Sequence, residues 1–187
     1  LDIMIRTLLL VFSFAFFTNQ GARFGDIALA ANHILLQIIS FSAFFLDGFA
    51  FAAEGLVGRA FGAGDSLQFM AAVRRTSVLA VVSAVVLASI VLLFGGDLIA
   101  GLTDLPAVRQ AASNLTHLAA IYILLSVAAF QLDGIFIGAS CTRQMCYGAI
   151  QSVLFFLLVC WMLVPRFEIT GLWWAMIVYV VVRAAVL

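Results

Sequence analysis

Residues 76–96 carry no charged side chain, and most of that stretch is Val, Leu, Ala and Ile. The rest of the chain is similar, since 66% of all residues are hydrophobic, only 10% are charged, and the mean hydropathy is +1.23. A soluble domain is about half apolar and about a quarter charged. One aqueous core cannot bury so much apolar surface, so the chain is predicted to be an integral membrane protein.

Polar and glycine-rich breaks divide the chain into six apolar segments, and each segment is predicted to be a helix. The predicted helices cover residues 3–19, 27–60, 73–94, 108–139, 144–164 and 169–187. Several are long enough to cross about 30 Å of hydrocarbon at 1.5 Å per residue. The predicted fold class is therefore all-α, a bundle of six transmembrane helices. Because the chain begins at Leu1 and ends inside an apolar run, we expect a fragment of a longer polytopic protein.

The arginines predict the orientation of the bundle. One side of the predicted bundle receives Arg6, Arg59, Arg74, Arg75 and Arg143; the other receives Arg23, Arg109 and Arg166 together with Asp26, Asp97, Asp104 and Glu168. Arginine-rich loops tend to stay in the cytoplasm, so both chain ends are predicted to be cytoplasmic. The net charge is zero, so no nucleic-acid partner is indicated.

Two acidic residues lie inside the apolar stretches, and both belong to the tripeptide Leu-Asp-Gly. Asp47 is on the second predicted helix and Asp133 on the fourth, and these two helices run in the same direction in the predicted topology. By helical rise, the acids lie about 18 Å and about 15 Å from the arginines that follow them, near the bilayer midplane. An ionised carboxylate at that depth is costly unless it is paired, hydrated or protonated. The pair is therefore predicted to bind and release H⁺ or Na⁺.

Glu54 is a third candidate for the coupling site, because it follows Asp47 by seven residues and projects from nearly the same face. The alternative for Glu54 is an ordinary ion pair with Arg59. The alternative for the two aspartates is a hydrogen bond to an amide of a neighbouring helix. The candidate supporting polar residues are Arg6, Asn32, Gln37 and Gln131. Glycines directly after the two aspartates, Gly48 and Gly134, are predicted to allow close helix approach or local loosening.

Three stretches give the chain a family resemblance. They are LDIMIRTLLL at the start, LAANHILLQIISFSAFFLDGFAFAAEGLVGRAFGAGD in the second helix, and LLSVAAFQLDGIFIGASCTRQM in the fourth. The sequence resembles the carboxy-terminal six-helix lobe of a multidrug and toxic compound extrusion (MATE) transporter of the DinF branch. The likeness covers essentially all of residues 1–187.

The resemblance implies a twelve-helix antiporter built from two pseudo-symmetric lobes, in a bacterial-type inner membrane. Such a transporter exports drugs or other toxic organic compounds from a central cleft while H⁺ or Na⁺ enters. The implied partners are the missing amino-terminal lobe, membrane lipid and small organic or cationic substrates. No cofactor is implied beyond the coupling ion.

The resemblance also bears on the ion site. Asp133 matches an acid that some relatives use in cation binding, which makes it a candidate sodium ligand. Those relatives carry a further acid on the first helix of the lobe, and residues 11–21 contain none.

Other functions remain open from the sequence. A flippase for lipid-linked oligosaccharides shares the architecture implied by the resemblance. An intramembrane hydrolase is suggested by Gly-Ala-Gly-Asp ending at Asp65, and by Ser140 with His33 or His117 as a base. The predicted topology separates Ser140 from both histidines and puts Asp65 in a loop, so the chain is predicted not to be an enzyme.

Aromatic side chains are also abundant. Phe44, Phe51 and Phe130 are candidates to line a cleft for apolar or cationic compounds. The tryptophans near the fifth and sixth predicted helices, Trp161, Trp173 and Trp174, are expected to form an interfacial belt.

Overall fold

The computed structural model describes residues 2–187, and over that range the chain is all-α. The helices are α1 (Asp2–Ala22), α2 (Asp26–Gly62), α3 (Ser66–Leu102), α4 (Pro106–Gly138) and α5 (Thr142–Val186). Each helix is long and apolar enough to cross a membrane. The predicted fold class, an all-α integral membrane protein, is confirmed.

Short turns join the helices, so consecutive helices run in opposite directions. The turn before α3 is closed by Asp65, whose carboxylate accepts a hydrogen bond of 2.9 Å from the backbone N–H of Gln68. An aspartate in this position caps a helix by satisfying one of its free N–H groups. Gly64 precedes it with a φ of +66°, a conformation that glycine adopts without steric cost.

Helix α5 contains the fifth and sixth predicted segments as two arms, residues 142–167 and 169–186. Glu168 lies between them with φ 51° and ψ −128°, the dihedrals of the first central position of a type II′ turn. A Cβ atom placed on Gly148 would lie 3.3 Å from the Leu187 side chain. A straight helix would separate those two residues by roughly 58 Å, so the arms must run antiparallel. Residues 2–187 therefore form six helical segments, the number predicted.

The fifth predicted segment ends at residue 164, directly before Pro165, but the structure places the break further along the chain. Helical geometry continues past Pro165, and the reversal occurs at Glu168. Pro165 removes one N–H donor from the helix, and this loss falls in the last turn before the reversal. The reversal is tight because Gly171 packs directly on the backbone of Leu163, where a Cβ atom would lie 2.5 Å from the carbonyl oxygen.

Helix α3 is longer than the predicted segment 73–94. It begins at Ser66, after the Asp65 cap, and continues through Gly95 and Gly96 to Leu102. Gly95 lies inside the helix, and its missing side chain makes room for Thr116 of α4. A Cβ atom at Gly95 would lie 2.5 Å from the Thr116 methyl group.

Helices α2 and α4 make the closest backbone contact described in the bundle. A Cβ atom on Gly134 would lie 2.1 Å from the carbonyl oxygen of Ala50, and one on Gly138 would lie 2.6 Å from that of Glu54. From the first contact to the second, the residue number increases by four on each helix, so the two helices are parallel, as predicted. Small residues spaced by four commonly allow such contacts in membranes. Gly48 has no such role, since a Cβ atom there would meet nothing within 4 Å.

The aromatic belt prediction is wrong for Trp173, which is 0% exposed and lies in the main apolar core. Its indole N–H donates a hydrogen bond of 2.9 Å to the Asn32 side-chain oxygen. Its ring meets Phe17 edge to face, with centroids 5.3 Å apart. Trp161, by contrast, is 79% exposed. Asn32 therefore accepts a hydrogen bond inside the core and connects α2 to the second arm of α5.

Replacing Trp173 with Phe is expected to lower the free energy of unfolding by about 2 kcal/mol, because the Asn32 carbonyl oxygen loses its donor in a buried site. The measurement is unfolding by SDS in mixed micelles. Trp161→Phe is the matched control, since its exposed ring makes no such bond, and it should change little. Equal effects of the two substitutions would contradict this role for the Trp173 hydrogen bond.

Candidate functional site: a charged cavity

A cavity of about 410 Å³ opens between α1, α2, α4 and the second arm of α5. Its wall combines charged or polar side chains with aromatic rings. The polar members are Arg6, Ser40, Asp47, Glu54, Tyr122, Asp133 and Arg183, and the aromatic carbon surface comes from Phe14, Phe44, Phe51 and Phe130. The three phenylalanines proposed from the sequence as cleft residues all lie here. The volume is within the usual range of small-molecule sites, about 300–1,000 Å³.

Asp133 is the centre of the charge cluster. Its carboxylate is buried, and its Oδ2 atom accepts hydrogen bonds from Nη2 of Arg6 on α1 and from Nη2 of Arg183 on α5. Both contacts are also ion pairs, and both arginine side chains are largely buried. Charge-assisted bonds of this kind are stronger than neutral ones. One carboxylate therefore ties together three helices of the bundle.

The cluster keeps unused hydrogen-bonding capacity. Oδ1 of Asp133 and Nε of Arg6 are both buried, and neither has a partner among residues 2–187. A buried polar atom without a partner is costly. The cluster can therefore hold one further group that donates to the carboxylate or accepts from the guanidinium.

Asp47 lies on the wall of the same cavity and is half-buried. It is close enough to Asp133, Arg6 and Arg183 to interact electrostatically with each of them. Among residues 2–187, no hydrogen bond or ion pair involves its carboxylate. Since Gly134 packs on Ala50, the two aspartates differ in height by only about 3 Å, roughly half a helical turn, close to the matching depth predicted from sequence.

Glu54 lies in the same wall, and it does not form the predicted alternative ion pair with Arg59. The Arg59 side chain instead points its Nε at the backbone oxygen of Gly55, 3.4 Å away. Of the four proposed supporting residues, Arg6 is the one that the structure brings to the acids.

The other three supporting residues lie outside the charged cavity. Asn32 faces Trp173, and Gln131 donates a hydrogen bond of 2.6 Å to the hydroxyl of Thr76 on α3. Gln37 lines a separate groove between α2 and α3. These amides therefore do not cap the aspartates. They were proposed as amides that could reach an acid on a neighbouring helix, but each lies at another place in the bundle.

The structure does not assemble the hydrolase that the sequence left open. Asp65 is a helix cap in a turn, and Ser140 is an exposed turn residue with a φ of 59°. Among the described residues, the Ser140 hydroxyl makes no hydrogen bond to His33 or His117, both of which are exposed.

The sequence reasoning missed Arg183. Its signal was present, because it is an isolated arginine in the apolar final segment, and ionisable residues inside membrane helices usually have a functional role. It was overlooked because only acids were considered as coupling residues. Tyr122 was also missed, since nothing in its local pattern separates a cavity tyrosine from a core tyrosine.

Apolar helices around a charged cavity define a multi-pass helical membrane protein with a polar interior. The MatE family model matches residues 3–162, and the chain belongs to that family. It is 38% identical, over 148 residues, to DNA damage-inducible protein F of Escherichia coli (strain K12). That match covers 77% of this chain and 31% of the relative, so the matched region spans about a third of the relative's length. The resemblance to the DinF branch is confirmed.

Proposed function

We propose that this chain is one lobe of an efflux transporter that exports drugs or toxic organic compounds, coupled to inward movement of protons. The observation that carries the proposal is the Asp47 carboxylate, which lies in a cavity without a hydrogen-bonding partner and beside a buried cluster of two arginines and Asp133. Membership of the MatE family supports transport as the activity.

In the proposed coupling, the carboxylates of Asp47 and Asp133 compete for the same two arginines. When Asp47 is protonated, Arg6 and Arg183 remain on Asp133. When Asp47 loses its proton, it becomes a second acceptor for the same guanidinium groups, and α1 is drawn toward α2. A proton thereby acts as a ligand that has different affinities for two arrangements of the helices, which is what a coupled transporter requires.

Protons fit this site better than sodium. A hard metal cation needs several oxygen ligands at once, whereas a proton needs one. Two positively charged guanidinium groups already occupy one oxygen of Asp133, and their charge opposes a cation beside them. We therefore assign Asp133 to holding the arginines and Asp47 to binding the proton.

The cavity wall suits organic substrates with an apolar body. Phe44 and Phe51 project from α2 with exposed fractions of 74% and 69%, and Asp47 lies between them on the same helix. Aromatic faces and a carboxylate together favour organic cations. The amino-terminal lobe is proposed to cover this exposed wall and complete the cleft.

The proposed location is a bacterial plasma membrane with both chain ends in the cytoplasm. Because Arg6 near the start of α1 and Arg183 near the end of α5 meet on one carboxylate, the two ends lie on the same side of the bundle. The arginine-rich loops assign that side to the cytoplasm.

A flippase for anionic lipid-linked sugars is less consistent with the cavity. Phosphate groups would require an excess of positive charge. Arg6 and Arg183 are offset by Asp47, Asp133 and Glu54 in the same wall.

Replacing Asp47 with Asn in the full-length protein is expected to reduce efflux driven by a pH gradient by roughly a hundredfold, because the positioned proton acceptor is lost. The measurement is dye efflux from proteoliposomes with an imposed pH gradient. Asp97→Asn is the matched control, since Asp97 is an exposed acid on α3 outside the charged cavity. Wild-type dependence on the pH gradient in Asp47→Asn would remove Asp47 from the coupling mechanism.

A further inference from the structure

A second groove continues the charged cavity along α2 and α4. It has a volume of about 540 Å³ and shares Phe51, Glu54 and Ile137 with the first cavity. Its far end is at Arg59, three residues before the end of α2. The two spaces therefore adjoin at Glu54 and extend from Asp47 toward the end of the bundle that carries Arg59.

Glycines keep this groove open. Gly55 and Gly58 of α2 and Gly138 of α4 line it, so no side chain fills the space beside Glu54. At Gly55 an added Cβ atom would meet nothing within 4 Å. The tight contact between Gly138 and the Glu54 backbone fixes the height of Glu54 relative to α4.

The Glu54 carboxylate has no structural partner. No hydrogen bond or ion pair within residues 2–187 involves it. The charged and titratable groups around the two adjoining spaces are Asp47 and Arg59 on α2, Tyr122 and Asp133 on α4, Arg6 on α1 and Arg183 on α5. The arginines of the cavity are held by Asp133, so Glu54 does not serve as their counter-ion.

We propose that the groove between α2 and α4 is the path by which protons pass between Asp47 and the aqueous phase, and that Glu54 is the intermediate carrier on that path. The inference rests on the proposed proton coupling through Asp47. It adds the route, its direction toward the Arg59 end of the bundle, and a residue with a defined role. Asp47 and Glu54 are seven residues apart on α2, a rise of about 10 Å, which a short chain of water molecules can bridge.

The transfer is a balanced exchange of one proton. The O–H bond of protonated Asp47 breaks, its proton passes through water, and an O–H bond forms on the Glu54 carboxylate. Glu54 then releases the proton to water at the open end of the groove. Nothing is oxidised or reduced: Glu54 returns to its carboxylate form, Asp47 is left deprotonated, and one proton has been released to water.

The first test uses the full-length protein in proteoliposomes that contain a pH-sensitive dye. Glu54→Gln is expected to slow substrate-driven proton movement by about a hundredfold, the lower end of what a positioned proton-transfer group contributes. Glu54→Asp, which keeps a carboxylate, should retain most of the rate. Added formate, a small carboxylate that can enter the groove, should restore proton movement in Glu54→Gln.

The second test blocks the groove. Gly55→Leu fits sterically and fills the groove, so it should slow proton movement as Glu54→Gln does, but formate should not restore it. Gly48→Leu is the matched control, because Gly48 is an exposed α2 glycine with equal free space and lies outside both cavities. It should behave as wild type.

The outcomes separate this inference from the proposed function. If Asp47→Asn abolishes coupling while Glu54→Gln moves protons at the wild-type rate, the path through Glu54 is wrong and proton coupling stands. If neither substitution alters the response to a pH gradient, the proposed coupling itself fails, and the path fails with it. A Glu54→Gln defect that formate does not relieve also overturns the carrier role.

Discussion

Replacing Asp133 with Asn is expected to lower the free energy of unfolding by roughly 3–5 kcal/mol, the usual cost of removing one partner from a buried charge cluster. The substitution leaves Arg6 and Arg183 inside the bundle without their shared counter-ion. The α1–α4 and α4–α5 connections through this carboxylate are lost together. The measurement is unfolding by SDS in mixed micelles, followed by tryptophan fluorescence.

A matched control is available at the surface. Asp104 also pairs with an arginine, at 3.1 Å from Nη2 of Arg109, but its side chain is fully exposed. Asp104→Asn should therefore leave the unfolding midpoint nearly unchanged. Adding Arg183→Met to Asp133→Asn should recover part of the lost stability, because one unpaired charge is removed. A stable Asp133→Asn variant, or a double variant that is weaker still, would contradict this account of the cluster.

Replacing Gly134 with Val is expected to cost about 3 kcal/mol or more, at the upper end of overpacking effects. The new Cβ atom would lie 2.1 Å from the Ala50 carbonyl oxygen and 2.8 Å from its carbonyl carbon, so backbone must move. The separation of α2 from α4 then increases, and the positions of Asp47 and Asp133 relative to each other change. Unfolding in SDS measures the loss of stability, and efflux by the surviving protein measures the loss of function.

Two further substitutions make this prediction decisive. Gly134→Ala adds the same Cβ atom without the branches, so it should show a smaller loss and remain measurable if the valine variant fails to fold. Gly48→Val introduces the same side chain on α2 where there is free space, and it should change stability by a few tenths of a kcal/mol only. Equal losses at Gly48 and Gly134 would show that helix propensity, not the α2–α4 contact, is responsible.

The features that could be predicted from the sequence are those that depend on a local pattern of residues. Uncharged stretches such as residues 76–96 mark the membrane segments, because lipid tolerates few charges and every segment must satisfy its own backbone. The spacing of Asp47 and Asp133 to the arginines that follow them predicted similar heights on parallel helices, and the structure puts both aspartates in one cavity.

The remaining features depend on contacts between distant residues. Arg183 contacts Asp133, 50 positions earlier in the chain, because α5 folds back on itself. No local sequence pattern shows that fold-back. The fold-back itself occurs at Glu168, whereas propensity favoured Pro165, because packing of Gly171 on Leu163 decides the site of the turn. Trp173 was misplaced for a related reason, since a tryptophan near a helix end is buried when an amide such as Asn32 can accept its N–H.

The single-residue turn at Glu168 has a mechanical consequence. With no flexible connection between them, the two arms of α5 cannot slide past each other, and a tilt of residues 142–167 must displace residues 169–186 as well. Arg183 is carried on the second arm, so its distance to the carboxylate of Asp133 follows the tilt of the whole hairpin. A tilt of the hairpin would therefore change the electrostatic energy of the cluster that Asp133 forms with Arg6 and Arg183.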